Sequence, residues 1–362
     1  MSWRHSIQKK TKQEPHLCLY KHALESIFVY LSLDELSRVS ATCRRWFAAV
    51  DSMRPIGARI NVKKDDASMC KSRLMMRHVS SIHVIWFFDE TSLCDVIKLS
   101  KSLTTFDLSG NPIGDIGASL FAGAIEQSNS LTTVHLFGAS IGDQGAVAIA
   151  KAIAQSKSLT SVGLGWNSIG NLGAAAIAEA IKKSDSLAVV DLSDNAIGED
   201  GAIALAEAIK QSRSLTDVGL MDNYSIGTKG AFALAEAIKQ SLSLTAVNLS
   251  GNLIGDVGIV AIADAIKQSK FLAKVHLSGN SIGDVGVVAI AETIKQSRLL
   301  TDVALSENSI GDAGAVALAE AIKCNKSLSA IDLSDNDIGD VGVAAVADAI
   351  KQSKSLVVIV GL

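Results

Sequence analysis

Leu300-Thr-Asp-Val-Ala-Leu-Ser-Glu-Asn-Ser-Ile-Gly-Asp-Ala-Gly-Ala-Val-Ala-Leu-Ala-Glu-Ala-Ile322 decides how the chain folds. Its apolar residues at the first, fourth and sixth places, Leu300, Val303 and Leu305, do not alternate strictly, but they place three side chains in the core beneath a short parallel strand. Asn308 and Ile310-Gly-Asp312 follow, then an alanine-rich segment, so the predicted order is strand, loop, helix and turn. The same unit begins at Leu103, Leu131, Leu159, Leu187 and Leu215, 28 residues apart, and after one extra residue near Tyr224 at Leu244, Leu272, Leu300 and Leu328. A fixed period in this range predicts stacked units. Nine full units and a terminal half unit fill residues 103–362, and a degenerate unit over 79–102, with Val79, Ile82 and Val84 in the leucine positions, caps the front.

Units of this kind bury one continuous core between a sheet and a layer of helices, an α/β solenoid. Neighbouring strands sit roughly 4.8 Å apart, whereas packed helices sit about 8–10 Å apart. The stack therefore bends into a horseshoe with parallel strands on the concave face and helices on the convex face. Small residues such as Ala176, Ala178 and Ala180 bring the helices close. Asparagine recurs at 111, 167, 195, 223, 252, 280, 308 and 336, where its amide can satisfy turn backbone groups in its own and adjacent units. Ala139 interrupts the ladder, which predicts a looser turn there. Asp115, Asp143, Asp256, Asp284, Asp312 and Asp340, with Asn171, Thr228 and Glu199 in the same place, are expected N-caps. The unit resembles the ribonuclease-inhibitor type of leucine-rich repeat, which shares its Leu, Asn, Gly-Asp and Ala-Leu signature.

With the first leucine of each unit in the core, the third, fifth, seventh and eighth positions project from the concave side. His135, Phe137, Trp166 and Met221 stand there in a chain that is only 4% aromatic, a candidate hot spot for a protein partner. In the other reading, Phe137 and Trp166 fold over the ridge and pack locally beside Ala139. Asp191, Asp194, Asp217 and Asp222 follow, then Asp302, Glu307, Asp332 and Asp335, against one Lys274. The inner face is expected to be acidic and to draw in a basic protein target, while Lys210, Lys239, Lys267, Lys295 and Lys351 lie outside. His135 and His276 share a column with Asp107, Asp191 and Asp332, but strand spacing holds the two histidines roughly 24 Å apart. No catalytic residue, metal ligand or cofactor is expected, and no P-loop, HExxH or CxxC pair appears.

Residues before the solenoid have another character. Leu24, Ile27, Phe28 and Leu31 form a helical stripe, and Leu36, Val39, Cys43, Trp46 and Phe47 continue an apolar pattern. The string from Leu19 to Trp46, with Ile27-Phe28, Leu31, Asp34 to Leu36 and Cys43-Arg-Arg-Trp46, resembles the F-box, a helical module that binds the Skp adaptor of cullin-RING ubiquitin ligases. The resemblance implies an adaptor surface and small core of Leu19, Leu24, Ile27, Phe28, Leu31, Leu36, Val39, Cys43 and Trp46. Tyr20 stands where that family usually has proline. The expected organisation is a disordered tail over 1–13, an F-box-like all-α domain over 14–54, a basic linker over 55–78, and then the solenoid.

The 362 residues carry 34 basic and 37 acidic side chains, a net charge of -3 that points to neither nucleic acid nor an anionic membrane. Five widely spaced cysteines suggest reduced thiols, and no apolar run has the length of a signal peptide or membrane span. The expectation is a monomer of the cytoplasm or nucleus that is not an enzyme. Two functions remain open. One is the substrate-recognition subunit of a Skp-cullin-F-box ubiquitin ligase with its target on the concave face. The other is a free-standing inhibitory or binding scaffold like ribonuclease inhibitor, with the helical module as a cap.

Overall fold

The computed structural model describes residues 58–62, 79–84 and 90–360. The tail, the F-box-like segment and all nine candidate adaptor-binding residues, Leu19 to Trp46, lie outside them. The strands are β1 (Ala58–Val62), β2 (Val79–Val84), β3 (Thr105–Asp107), β4 (Thr133–His135), β5 (Ser161–Gly163), β6 (Val189–Asp191), β7 (Asp217–Gly219), β8 (Ala246–Asn248), β9 (Lys274–His276), β10 (Asp302–Ala304), β11 (Ala330–Asp332) and β12 (Val358–Val360). Between them run α1 (Glu90–Leu99), α2 (Gly114–Gln127), α3 (Asp143–Gln155), α4 (Asn171–Lys183), α5 (Glu199–Gln211), α6 (Gly227–Gln240), α7 (Gly255–Gln268), α8 (Asp284–Gln296), α9 (Asp312–Cys324) and α10 (Asp340–Gln352). The strands form one open sheet in sequence order, and each pair is parallel, with equivalent positions of consecutive units opposite each other, as in Phe106 to Val134 to Val162.

The expected solenoid is present. In the unit first quoted, Leu300, Val303, Leu305, Ile310, Leu318 and Ile322 are all buried. The central strand residue points into the core and its two neighbours face the other side, so the third and fifth positions line the inner surface. Gly145 shows why glycine recurs at the third helical place. A Cβ there would lie 2.7 Å from Asp115 Oδ1 and 2.8 Å from Ile141 Cγ2, so a side chain would force successive units apart.

The sheet starts one strand earlier than the repeat spacing predicts. Ala58–Val62 lies within the stretch 55–78 expected to be a linker, yet it pairs with β2, Ile60 opposite Ile82. A single edge strand without the leucine signature carries no period to read.

The asparagines bridge units. Asn280 donates to the carbonyls of Leu277 (3.1 Å), Ser278 (3.1 Å) and, one unit back, Leu249 (2.8 Å). Its oxygen accepts from the N–H groups of Asn252 and Ile254 at 3.1 and 3.3 Å. An asparagine thus completes the turn before its own, which moves the consequence of Ala139 from where it was expected. The turn at Ala139 is closed by Asn167, whose oxygen accepts from Ala139 and Ile141 at 3.1 and 2.9 Å. The preceding turn adapts instead, with Asn111 N–H bonded to Leu108 O and Ile113 N–H to Asn111 O.

The helix-leading acids are likewise displaced by one unit from their expected role. Asp143 is the first helical residue after an extended Gly142, and no N-cap side chain bonds its own helix. Asp115 instead accepts from Gly142 and Gly145 N–H at 2.7 and 2.9 Å, capping the next helix. Asp143, Asn171, Asp256 and Asp284 do the same for α4, α5, α8 and α9, and Asp312 accepts from Gly342 in α10. Thr228 donates to Ile254 O, and Glu199 pairs with Lys229.

Removing an amide that serves two units should loosen both. Asn280→Ala is expected to lower amide-exchange protection by roughly 2–3 kcal/mol in the turns at Asn252–Ile254 and Leu277–Ser278 together. Loss confined to one turn contradicts the bridging role.

Candidate functional site

Strand register brings the inward-facing residues into rows. The fifth positions run His83, Asp107, His135, Gly163, Asp191, Gly219, Asn248, His276, Ala304 and Asp332 across β2 to β11. The third positions include Asp217, Lys274 and Asp302. Just beyond each strand the chain takes a left-handed turn, with φ of +63° at Gly138, +55° at Trp166, +53° at Asp194, +55° at Asp222, +54° at Glu307 and +54° at Asp335. Glycine and aspartate tolerate this region; a tryptophan there is strained by roughly 1–2 kcal/mol.

The expected target-binding residues all lie on this face or its rim. Phe137, Trp166, Glu307 and Asp335 are exposed, and His135, Asp191, Asp194, Asp217, Met221, Asp222, Asp302 and Asp332 are half-buried. Phe137 and Trp166 are stacked, ring centroids 5.4 Å apart and planes 15° from parallel, yet 40% and 62% exposed. Local packing and surface display are therefore both true of this pair. The Phe137 ring lies over Gly165, where a Cβ would come within 2.9 Å of Cδ2.

Trp166, Asn167, Ser168, Asp194, Asn195, Ala196, Asp222 and Tyr224 line a shallow groove beside the stack. Tyr224 was not among the expected site residues. It occupies the turn lengthened by one residue, which leaves it 62% exposed, and the interval from Leu215 to Leu244 is the signal that marks it. Met221 does not line the groove, and Glu307, Asp332 and Asp335 stand at least three strands further on, roughly 14 Å at the usual spacing.

Burial pushes the Asp222 carboxyl above its ordinary range and the charge of Asp194 adds to this, partly offset by a hydrogen bond from Tyr224. Burial likewise raises Asp217, with Asp191 adding, against the attraction of Lys274 and His276. At the other end, burial of Asp107 is outweighed by hydrogen bonds from Ser109 and His83, the latter at 2.6 Å, which hold its carboxyl below the usual value. Among the described residues, Asp191, Asp194, Asp217, Asp222, Glu307, Asp332 and Asp335 form no ion pair, and Asp302 approaches His276 at 3.7 Å. Outer lysines pair with outer acids, Lys182 with Glu179 at 2.7 Å and Lys323 with Asp348 at 3.1 Å. Most carboxylates of the inner face thus stand without an ion-pair partner.

No group of three or more His, Cys, Asp or Glu able to hold a metal occurs among the described residues. Two Gly-x-Ser-x-Gly strings, at 138–142 and 279–283, resemble a nucleophile elbow. Both are the recurrent turn, and Ser140 and Ser281 hydrogen-bond to no histidine among the described residues. The inner face is suited to binding cationic and flat groups.

A carboxyl held above its unfolded value destabilises the fold once ionised, a cost absent below the ordinary value of 3.8 and present above the raised one. Asp217→Asn should therefore raise the thermal midpoint at neutral pH, with the gain disappearing in acid; a gain independent of pH would contradict the assignment. For Trp166→Asn, relief of roughly 1–2 kcal/mol of backbone strain offsets about 0.5–1.5 kcal/mol of lost stacking. Its unfolding free energy in urea should stay within about 1 kcal/mol of the parent, and a much larger loss would make the tryptophan a structural residue.

An F-box-like family model matches residues 21–54. A Leucine Rich repeat model matches at residues 99–122, 127–150, 155–178, 183–206, 240–263, 268–291, 296–319 and 324–347, together more than half of the chain. The unmatched stretch between 206 and 240 holds the lengthened turn, and β7 and α6 continue the fold through it. No curated protein matches. Among solved structures, the chain is similar to actin-binding site 2 of leiomodin-1, with 19% identity and a TM-score of 0.36 over 42% of this chain and 88% of that one. It is also similar to the Rad7 and Elc1 complex in yeast, with 14% identity and a TM-score of 0.48 over 99% of this chain and 95% of that one. By its recurring strand, asparagine turn and helix, and by a repeat match over most of that length, the chain belongs to the leucine-rich-repeat family, with an F-box-like segment ahead of the repeats.

Proposed function

We infer that the protein is an interaction adaptor: its F-box-like segment docks to a Skp-type subunit of a cullin ubiquitin ligase, and its concave face holds the protein to be modified. The observation that carries this reading is the F-box-like match at residues 21–54 directly ahead of a repeat sheet that begins at Ala58. A docking module and a capture surface on one chain are what a substrate-recognition subunit requires, and the chemistry of ubiquitin transfer then lies in other subunits. The inner face supplies the kind of surface a protein target needs, with an exposed aromatic pair and unpaired carboxylates on a sheet whose register fixes their spacing. Ile27, Phe28 and Leu31 are the proposed contacts to the Skp-type subunit.

Mixed with a purified Skp–cullin subcomplex, the full chain should co-elute with it on a sizing column. The Phe28→Asp variant should not, while its circular dichroism remains that of the parent. A folded wild-type chain that fails to co-elute would leave a free-standing binding scaffold in place of a ligase subunit.

A further inference from the structure

The groove beside the aromatic stack is chemically more selective than an acidic surface alone. Phe137 lies against Trp166 from the second unit, while Asp194, Asp222 and Tyr224, from the fourth and fifth, line the groove with the indole. The groove therefore opens away from Phe137. Strand pairing on both sides holds these units in register, and Gly165 seats the Phe137 ring that backs the indole. An aromatic face attracts a cation through its quadrupole, most strongly when the aromatic is tryptophan. Asp194 and Asp222, without a cationic partner among the described residues, line the same groove, and burial together with the charge of Asp194 disfavours ionisation of Asp222. A shared cation relieves both effects.

We propose that this groove takes an arginine side chain of the target protein, its guanidinium stacked on Trp166 and hydrogen-bonded to Asp194 and Asp222. The assignment rests on the concave face being the target-binding face. A guanidinium is flat, weakly hydrated and offers five N–H donors in a fork, so it can stack and reach two carboxylates at once. A lysine ammonium is compact and strongly hydrated and meets the carboxylates as a point charge, with less to gain from the ring. The remaining inner acids, Asp191, Asp217, Glu307, Asp332 and Asp335, add the longer-range attraction that brings a basic segment to the face. Asp302 is already near His276.

The test titrates the full chain into fluorescein-labelled peptides of repeating Gly-Ser-Arg, Gly-Ser-Lys or Gly-Ser-citrulline, read by fluorescence anisotropy at low salt. The arginine peptide should bind about ten-fold more tightly than the lysine peptide, and the citrulline peptide should not bind. Trp166→Asn should remove the preference for arginine over lysine, and the isosteric Asp222→Asn should weaken the arginine peptide about ten-fold. Asp264→Asn, on the convex helix α7, should change affinity less than about two-fold. Equal affinity for the two basic peptides, absence of binding, or a preference that survives Trp166→Asn would overturn the proposal; if that variant does not fold, Asp222→Asn decides. Failure here with Skp co-elution intact leaves the adaptor reading in place, and arginine selectivity without co-elution leaves a binding site with no ligase role.

Discussion

Every unit passes from a three-residue strand to a helix within a few residues, and that turn buries N–H and C=O groups that neither element can pair. The asparagine amide resolves this by spanning two units. Asn195 donates to Leu192 and Ser193 in its own turn and to Leu164 one unit back, while its oxygen accepts from Ile169. No such turn is complete without the unit that follows, so the fold exists only as a stack. On the helical side the leading aspartates impose the reverse dependence, each capping the helix after its own. The two ladders run in opposite directions, each turn relying on the unit after it and each helix on the unit before it.

That division of labour leaves the inner face free. The first, fourth and sixth positions are spent on the core and the asparagine on the turn, whereas the third, fifth, seventh and eighth face the inner surface, where Asp107, Asp191, Asn248 and Asp332 also accept from the N–H two residues on. At the eighth that conformation is left-handed, which suits glycine and aspartate. Trp166 occupies it against local preference, and its ring is neither buried in the core nor left alone. A residue placed at a cost to the backbone and displayed on the inner face is better explained by recognition than by folding.

Charge follows the same geometry. Several lysines and acids on the outer helices pair with one another, as Lys182 and Glu179 do. Inner acids face a concave surface where Lys274 is the one lysine among the described residues, and burial raises the carboxyls of Asp222 and Asp217, with the charges of Asp194 and Asp191 adding. A net charge of -3 therefore conceals a negative interior. The face that combines this charge with Trp166 is the one an adaptor would turn to its target.

The 28-residue period by itself determined the solenoid, the side of the sheet on which each strand residue lies, and the acidic and aromatic membership of the inner face. These follow from periodicity, because a repeated unit places equivalent residues in equivalent surroundings. What acts between units was decided only by tertiary structure. Ala139 is compensated by Asn167 and felt in the turn at Asn111, Asp143 caps the helix after its own, Ala58–Val62 joins an edge for which no repeat prepares it, and Tyr224 reaches the groove because its turn is one residue longer. For Ala139, Asp143 and Ala58–Val62 the deciding partner is about one unit away along the chain and adjacent in space, where local sequence pattern carries no information, whereas for Tyr224 the sequence shows the extra residue but not where it points.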